Sequence, residues 1–464
     1  MIVMKFGGTS VADADGIRRL TEIVRRRQAR AGTPPLVVVS AMAGVTDQLL
    51  RLVTAAERRD TAFLDAEMPL LRERHRRALD ALVSDEDAAG AVQLELDAQF
   101  EELQALLEAV TILREASPRA LDEIAAAGEL SSSRLVAAAL TAAGVPAAWI
   151  DARRAMVTDE AHTTAVPLPA ETRDALDREL HAHARGRVAV VGGYVGATRA
   201  GATTTLGRGG SDYSASVFGA AARAREIEIW TDVDGMLTAD PRIVDDVLVV
   251  PHLSFGEASE LAYFGAKVLH PSTILPAMAD GIPVRILNSR RPDVPGTLIT
   301  QSAPPSDNPL AAIACKRDIT VIDITSTRML MAHGFLRGVF DAFERHRTSV
   351  DVVTTSEVSV SVTIDDERRV EPIVEALREL GEVDVERGMA IVCAVGDGLR
   401  RDARLAGRIV GALEGFPLRM VSQAASRRNL TVVVREQDVP AAMARLHEEF
   451  FATRMRDTGC VIRD

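Results

Sequence analysis

A chain of 464 residues, 47% hydrophobic and 26% charged, is too long for one ordinary core and too apolar for global disorder. Two to four packed domains follow. Its net charge of −12, with no long basic run, argues against a surface that tracks phosphates, and so against nucleic-acid or anionic-membrane partners.

In chain order, residues 2–6 read as a short buried strand, Gly7 and Gly8 as its exit, 13–30 as an amphipathic helix and 36–40 as a second buried strand, the grammar of a βαβ unit. From about 49 to 116 the text turns rich in Leu, Ala, Glu and Arg. Apolar positions at Leu94, Leu96, Phe100, Leu103, Leu106 and Leu107 recur at helical spacing, which predicts a helical insertion, read as a helix pair. The alternation resumes with a helix over 131–143 and strands over 147–150, 187–191, 226–231 and 284–287. This predicts a three-layer α/β domain with a mainly parallel central sheet. A Pro-, Ser- and Gly-rich passage over 288–309 closes it. Beyond, strand, helix, strand, strand, helix, strand over 319–385 is followed by a similar series over 389–450, a duplicated βαββαβ module. The expected boundaries are 1–300 for the first domain with its insertion at about 49–117, 301–315 for a linker, and 316–388 and 389–464 for the two modules.

Of the 54 basic residues only three are lysine, Lys5, Lys267 and Lys316. Each marks a position that wants a compact ammonium in place of a guanidinium fork. Cys315, Cys393 and Cys460 are odd in number and show neither disulfide nor zinc spacing, so no metal site is expected and a reducing compartment fits. With no signal segment and no apolar stretch near ~20 residues, the expected location is cytoplasmic.

Several segments carry chemistry. Lys5 ends a strand before Gly7 and Gly8, where backbone N–H groups and a mobile ammonium can approach phosphoryl oxygens; a plain strand exit is the alternative. Thr203 to Asp212 (TTTLGRGGSD) packs three hydroxyls, three glycines, Arg208, Ser211 and Asp212 into ten residues, an oxyanion-binding loop in which Arg208 can grip a carboxylate. Asp212 fits beside phosphates only if it orients a Lys or a metal ion. Thr231, Asp232 and Asp234 end a strand, where α/β sheets bind ligands, and the two aspartates serve equally well as turn formers. Lys267, after Gly265, is a candidate phosphate contact. Thr46 and Glu129 read either as helix N-caps or as pocket residues.

The segments KFGGTSV at Lys5, VVSAMAGVT at Val38, GEL at Gly128, TTTLGRGGSD at Thr203, WTDVDG at Trp230, TADPR at Thr238 and FGAKVLHP at Phe264 together resemble aspartate kinases of the amino-acid kinase superfamily. The tail is similar to a tandem pair of ACT domains, ferredoxin-like α+β modules. The single-activity, lysine-sensitive branch is the nearest in pattern, with no appended homoserine dehydrogenase. The resemblance implies transfer of a phosphoryl group from ATP, with Mg2+, to the side-chain carboxylate of L-aspartate. The 4-phospho-L-aspartate formed would open lysine, methionine, threonine and diaminopimelate biosynthesis. It implies that Lys5, Gly7 and Gly8 stabilise the transferring group and that Asp212 orients Lys5 or Mg2+. Arg208 would hold the substrate α-carboxylate and Glu129 its ammonium, with Ser40, Thr46 and Ser211 completing the pocket. Thr231, Asp232, Arg242 and Lys267 would contact the nucleotide. Leu237 stands where this family often has a Tyr, which removes adenine stacking from that position. Met329, Gly334, Phe335, Leu336, Ser349, Val350, Asp351, Ser356 and Glu357 resemble a pocket for L-lysine as effector, although Met331 and Ala332 replace a more polar pair. ACT modules imply at least a homodimer. The competing readings are a sister kinase acting on glutamate or acetylglutamate, and a catalytically silent ACT sensor.

Overall fold

The structure, a computed structural model, describes every residue except 208, 266–270, 305–307, 331–332, 400–401, 424–425 and 459–464, and only the backbone of 271–272, 403 and 453–458. It divides into two compact units, one of residues 1–236 and 268–303, the other of 237–267 and 304–464.

The first unit opens with β1 (Val3–Phe6), α1 (Ala14–Ala31) and β2 (Leu36–Val39), as the βαβ grammar requires. Asp13 caps α1 by accepting from the Gly16 amide at 2.8 Å, a contact worth ~1 kcal/mol. The insertion is larger than the expected helix pair. It consists of α2 (Val45–Glu57), α3 (Thr61–Leu82) and α4 (Glu86–Leu113), packed on α5 (Pro118–Ala142). Ser117, not a residue near 131, caps α5. Glu129 therefore lies inside a helix and its N-cap reading falls. Thr46 is likewise inside α2, whose N-cap is Gly44.

Next come β3 (Ala147–Ile150), α6 (Ala152–Ala155), β4 (Val157–Thr158), α7 (Pro169–His183), β5 (Val188–Gly192), β6 (Val195–Thr198), β7 (Thr203–Thr205), α8 (Gly210–Ala221) and β8 (Ile227–Thr231). Strands β9 (His252–Ser254) and helix α9 (Phe255–Tyr263) fall in the second unit, whereas α10 (Leu275–Ala279), β10 (Val284–Asn288) and β11 (Thr297–Thr300) return to the first. Within the first unit the main sheet runs β3-β5-β2-β1-β8-β10-β11, parallel throughout except for the last pair. The central strand β1 is buried along its whole length, and Phe6 stacks on Trp230 beside it. That two-sided burial is why these strands read as unbroken apolar runs. A small sheet, β4-β6-β7, stands apart from it.

The second unit is built on a six-stranded antiparallel sheet made of β12 (Ala312–Thr325), α11 (Phe335–Arg345), β13 (Val353–Thr355), β14 (Ser359–Ile364), α12 (Val370–Arg378), β15 (Glu382–Val395), α13 (Ala403–Ala412), β16 (Met420–Ser422), β17 (Asn429–Arg435) and α14 (Val439–Thr458). Its order is β13-β14-β12-β15-β17-β16. Two expected boundaries shift. The presumed linker 301–315 ends inside β12, whose residues Ala312–Cys315 already pair with Val392–Val395. The division at 388/389 falls inside β15, which runs on as one strand. Both long strands are irregular at that level, β12 by register shifts between Lys316 and Val321 and β15 at Gly388 with φ +69°. A bend there makes one long strand read as two short ones. Residues 237–267, expected in the first domain, pack with this second unit.

Candidate active site

Parallel pairing in register brings the C-terminal ends of five strands to one edge. Phe6 lies beside Val39 and Trp230, Val39 beside Gly192, and Thr231 beside Asn288. The segments that leave those strands are Gly7-Gly8, Ser40-Ala41, Gly193-Tyr194, Asp232 and Ser289. This edge is where open α/β sheets bind ligands.

Lys5 is buried one residue before the end of β1, and its Nζ lies 2.7 Å from Asp212 Oδ1 in the first turn of α8. The contact is held by charge and not by an aligned hydrogen bond. Its ammonium also faces the bare Cα of Gly7. The two glycine amides are not equivalent. The Gly7 amide donates to the Trp230 carbonyl at 3.0 Å, so it is already spent, whereas Gly8 makes no such bond. Of the pair expected to face a phosphoryl group, Gly8 alone has its N–H to offer.

Across the edge, Glu129 projects from the middle of α5. It is buried, its Oε2 has no partner, and burial pushes its pKa up to about 8 against the opposing pull of the Ala41 amide and the Lys5 charge. A dry carboxylate with one unsatisfied oxygen is a binding point for a cation. Ser132 in the next turn donates to the Ser40 carbonyl at 2.5 Å, which fixes the exit of β2 against α5. Thr46 is half-buried at the start of α2. Ser211 packs on Gly193, where a Cβ would come within 2.8 Å of the Ser211 Cβ, so only glycine lets α8 approach β5 this closely.

The two aspartates of WTDVDG separate in role. Asp234 is buried, accepting from Asn288 Nδ2 at 2.8 Å and from Arg291 at 2.5 Å, and is a structural clamp. Asp232 is exposed beside Thr231 at the strand end, open to a ligand. Arg242 belongs to the second unit and grips Asp240 through two hydrogen bonds at 3.0 and 2.6 Å. Arg208 and Lys267 lie outside the described residues, as do Met331 and Ala332. Among the described residues no three His, Cys, Asp or Glu side chains form a metal cluster, and no helix is long and apolar enough to cross a membrane.

Two residues of this edge stand outside the set expected from sequence: Ala41, whose amide opposes the rise in the Glu129 pKa, and Tyr194, held at φ +64° with its amide on Ser214 Oγ at 2.8 Å. The signal for Tyr194 was present, since Gly192-Gly193 after a buried strand repeats the Gly7-Gly8 pattern.

In the second unit, Met329, Phe335 and Val350 pack on one core formed under β12, β14, α11 and α12. Gly334 is the left-handed N-cap of α11, Leu336 is exposed in its first turn, and Ser349 is exposed beyond its C-terminal end. Ser356 and Glu357 lie in the exposed turn joining β13 and β14. Asp351 is nearly inaccessible. Its Oδ1 accepts from Lys316 Nζ at 2.7 Å and from the Tyr263 hydroxyl at 2.8 Å, and its Oδ2 has no partner.

Residues 1–288 match the amino acid kinase family and 392–450 the ACT domain. Over 466 residues the chain is 36% identical to lysine-sensitive aspartokinase 3 of Escherichia coli (strain K12), covering 97% of this chain and 99% of that one. It is 38% identical over 467 residues to the chloroplastic aspartokinase 3 of Arabidopsis thaliana, covering 97% and 82%. The structure aligns with E. coli aspartokinase III in complex with aspartate and ADP (R-state) at a TM-score of 0.82 and 35% identity, covering 97% of this chain and 100% of that one. Against the complex with lysine and aspartate (T-state) the TM-score is 0.79 at 34% identity, covering 97% and 99%.

Proposed function

The chain belongs to the aspartokinase family, and from that premise we propose how its residues transfer the γ-phosphoryl group of ATP to the side-chain carboxylate of L-aspartate. The acceptor is already ionised at neutral pH, so no general base is required. Catalysis reduces to positioning and to stabilising charge on the transferring group.

The observation that carries the assignment is the unpaired, dry Glu129 carboxylate on the same strand edge as the Lys5–Asp212 pair. Glu129 takes the substrate ammonium, and Arg208 takes its α-carboxylate. Ser40, Thr46 and Ser211 line the remainder of the pocket. Lys5, aimed by Asp212, and the Gly8 amide meet the oxygens of the transferring phosphoryl group, while Thr231 and Asp232 serve the nucleotide. Asp212 keeps an acid beside the Lys5 ammonium, the donor chemistry that suits a magnesium ion arriving on ATP. Mg2+ supplies neutralisation of phosphate charge, since this ion prefers phosphates and water to an all-protein cage.

For the tail, we read the six-stranded sheet as two nested ACT modules. The order β13-β14-β12-β15 is a complete βαββαβ sheet, and the second module, β15-β17-β16 with α13 and α14, borrows the first residues of β12 as its fourth strand. L-Lysine is the effector, its ammonium taken by Asp351, and the molecule pairs into a homodimer through its ACT modules in the cytoplasm.

The test is hydroxamate trapping of the acyl phosphate from L-aspartate and MgATP, with glutamate, acetylglutamate, lysine and threonine lanes and a Lys5→Ala control. Aspartate-dependent signal lost in the control supports the reading. Signal with glutamate or acetylglutamate alone, or no turnover by folded protein, overturns it.

A further inference from the structure

Asp122 is fully buried in the second turn of α5, seven residues before Glu129. Seven residues are close to two turns, so both carboxylates lie on one stripe of the helix. Unlike Glu129, Asp122 is saturated. Its Oδ1 accepts from Thr205 Oγ1 at 2.6 Å, its Oδ2 lies 2.7 Å from His162 Nδ1, and both oxygens lie 3.0 Å from the Thr163 amide.

These donors belong to the segments that build the substrate loop. Thr163 is a β-branched residue at φ +69°, a conformation that persists only when its surroundings enforce it. The two-oxygen acceptor on its N–H does so. Gly207, at φ +74°, rests on that turn, where a Cβ added to it would meet the Thr163 carbonyl oxygen at 3.4 Å. Thr205 ends β7 immediately before the LGRGGSD stretch, its carbonyl accepts from the Ala165 amide at 2.9 Å, and the next amide, that of Leu206, donates to the Tyr194 carbonyl at 3.0 Å. One carboxylate on α5 thus ties together β7, the Thr163 turn and, through them, the start of the loop that leads to Ser211 and Asp212.

We infer that Asp122 is a positioning residue for the amino-acid pocket, setting the spacing between Glu129 on α5 and the end of β7 that leads to Ser211 and Asp212 in α8. This rests on the aspartate-kinase reading above. It touches neither substrate nor nucleotide. Its loss loosens the grip on a small zwitterion held at both ends, and leaves the nucleotide contacts on β8 as they are.

The experiment compares wild type with Asp122→Asn, Thr205→Val and Thr205→Ser, measuring KM for aspartate and for ATP, kcat, and melting temperature. The expected result is an aspartate KM raised about tenfold or more in Asp122→Asn and Thr205→Val, the scale of one lost buried hydrogen bond, with the ATP KM within about twofold of wild type. Thr205→Ser, which keeps the hydroxyl, restores the aspartate KM. If Asp122→Asn does not fold, the Thr205 pair decides alone. Equal rises in both KM values, an unchanged aspartate KM, or Thr205→Ser behaving like Thr205→Val would overturn the positioning role and leave the kinase reading standing. Wild type without aspartate-dependent turnover would overturn both.

Discussion

Lys316 Nζ lies 2.7 Å from Asp351 Oδ1 and 2.8 Å from Asp365 Oδ2, so the carboxylate assigned to an effector's ammonium is already held by the third of the chain's three lysines. An internal ammonium screens Asp351 from a ligand of the same charge. Lys316→Gln is expected to let lysine inhibit at several-fold lower concentration, and Asp351→Asn to abolish the response with kcat unchanged. Titration of hydroxamate formation with lysine checks both, and equal inhibition curves for wild type and Lys316→Gln would refute the screening.

Tyr263 gives that same carboxylate a second line of influence. Its hydroxyl donates to Asp351 Oδ1 from the last residue of α9, and its ring lies over the Lys316 ammonium at 5.3 Å. Burial, together with the acid beside it, pushes the phenol pKa upward and keeps it a donor at all physiological pH. Helix α9 is further tied to the sheet by Glu257, which accepts from the Asp397 amide at 2.9 Å, and by Glu260, which accepts from Asn429 at 2.7 Å. Four residues further along the sequence stands Lys267, expected at the nucleotide. Tyr263→Phe should therefore bind lysine calorimetrically while losing part of its inhibition. Loss of binding and inhibition in proportion would place Tyr263 in the pocket alone.

Glu129 makes substrate binding pH-dependent. With its pKa at about 8 in the free protein, most of the carboxyl is protonated at pH 7 and must lose that proton to pair with an ammonium. The aspartate KM should fall as pH rises towards 8, by up to tenfold per unit, while the ATP KM does not follow. The same shift acts on stability with a definite sign. Between about 4.5 and 8 the folded chain holds a proton that the unfolded chain has released, so this contribution is complete below about 4.5 and is lost as pH rises through 8. Glu129→Gln should flatten both profiles. A parallel decline of melting temperature in wild type and variant would assign the effect elsewhere.

Much of this architecture was legible because local pattern and global role coincide. Strands buried on both faces, such as β1 and β5, cannot avoid long apolar runs, and Lys5 stands out because the chain otherwise uses arginine. What was not legible depends on the third dimension. The saturation of Asp122 by three distant donors, the orphaned oxygen of Glu129 and the spent amide of Gly7 have no one-dimensional signature. The helix cap at Ser117 was hidden because GEL at 128–130 looks like a helix start when α5 is in fact already three turns old. The continuity of β12 and β15 was hidden by their irregularities at Lys316 and Gly388, which imitate strand ends.

Lys5 and Asp212 form the pair whose substitution should act on chemistry most directly. The ammonium is buried and compact, and an arginine fork in its place would have to fit between Gly7 and Asp212 with a planar group of different reach. Lys5→Arg should fold yet lose about 100-fold or more in kcat, the scale of one lost oxyanion-type contact. Asp212→Asn keeps the shape and removes the charge that aims Lys5, and should lower kcat by a smaller factor with the aspartate KM little changed. Asp212→Ala goes further, leaving a buried ammonium without its partner, and should also lower the melting temperature. Steady-state kinetics beside thermal melts separates these cases, and a Lys5→Arg enzyme with near-native kcat would remove Lys5 from the transition-state contacts.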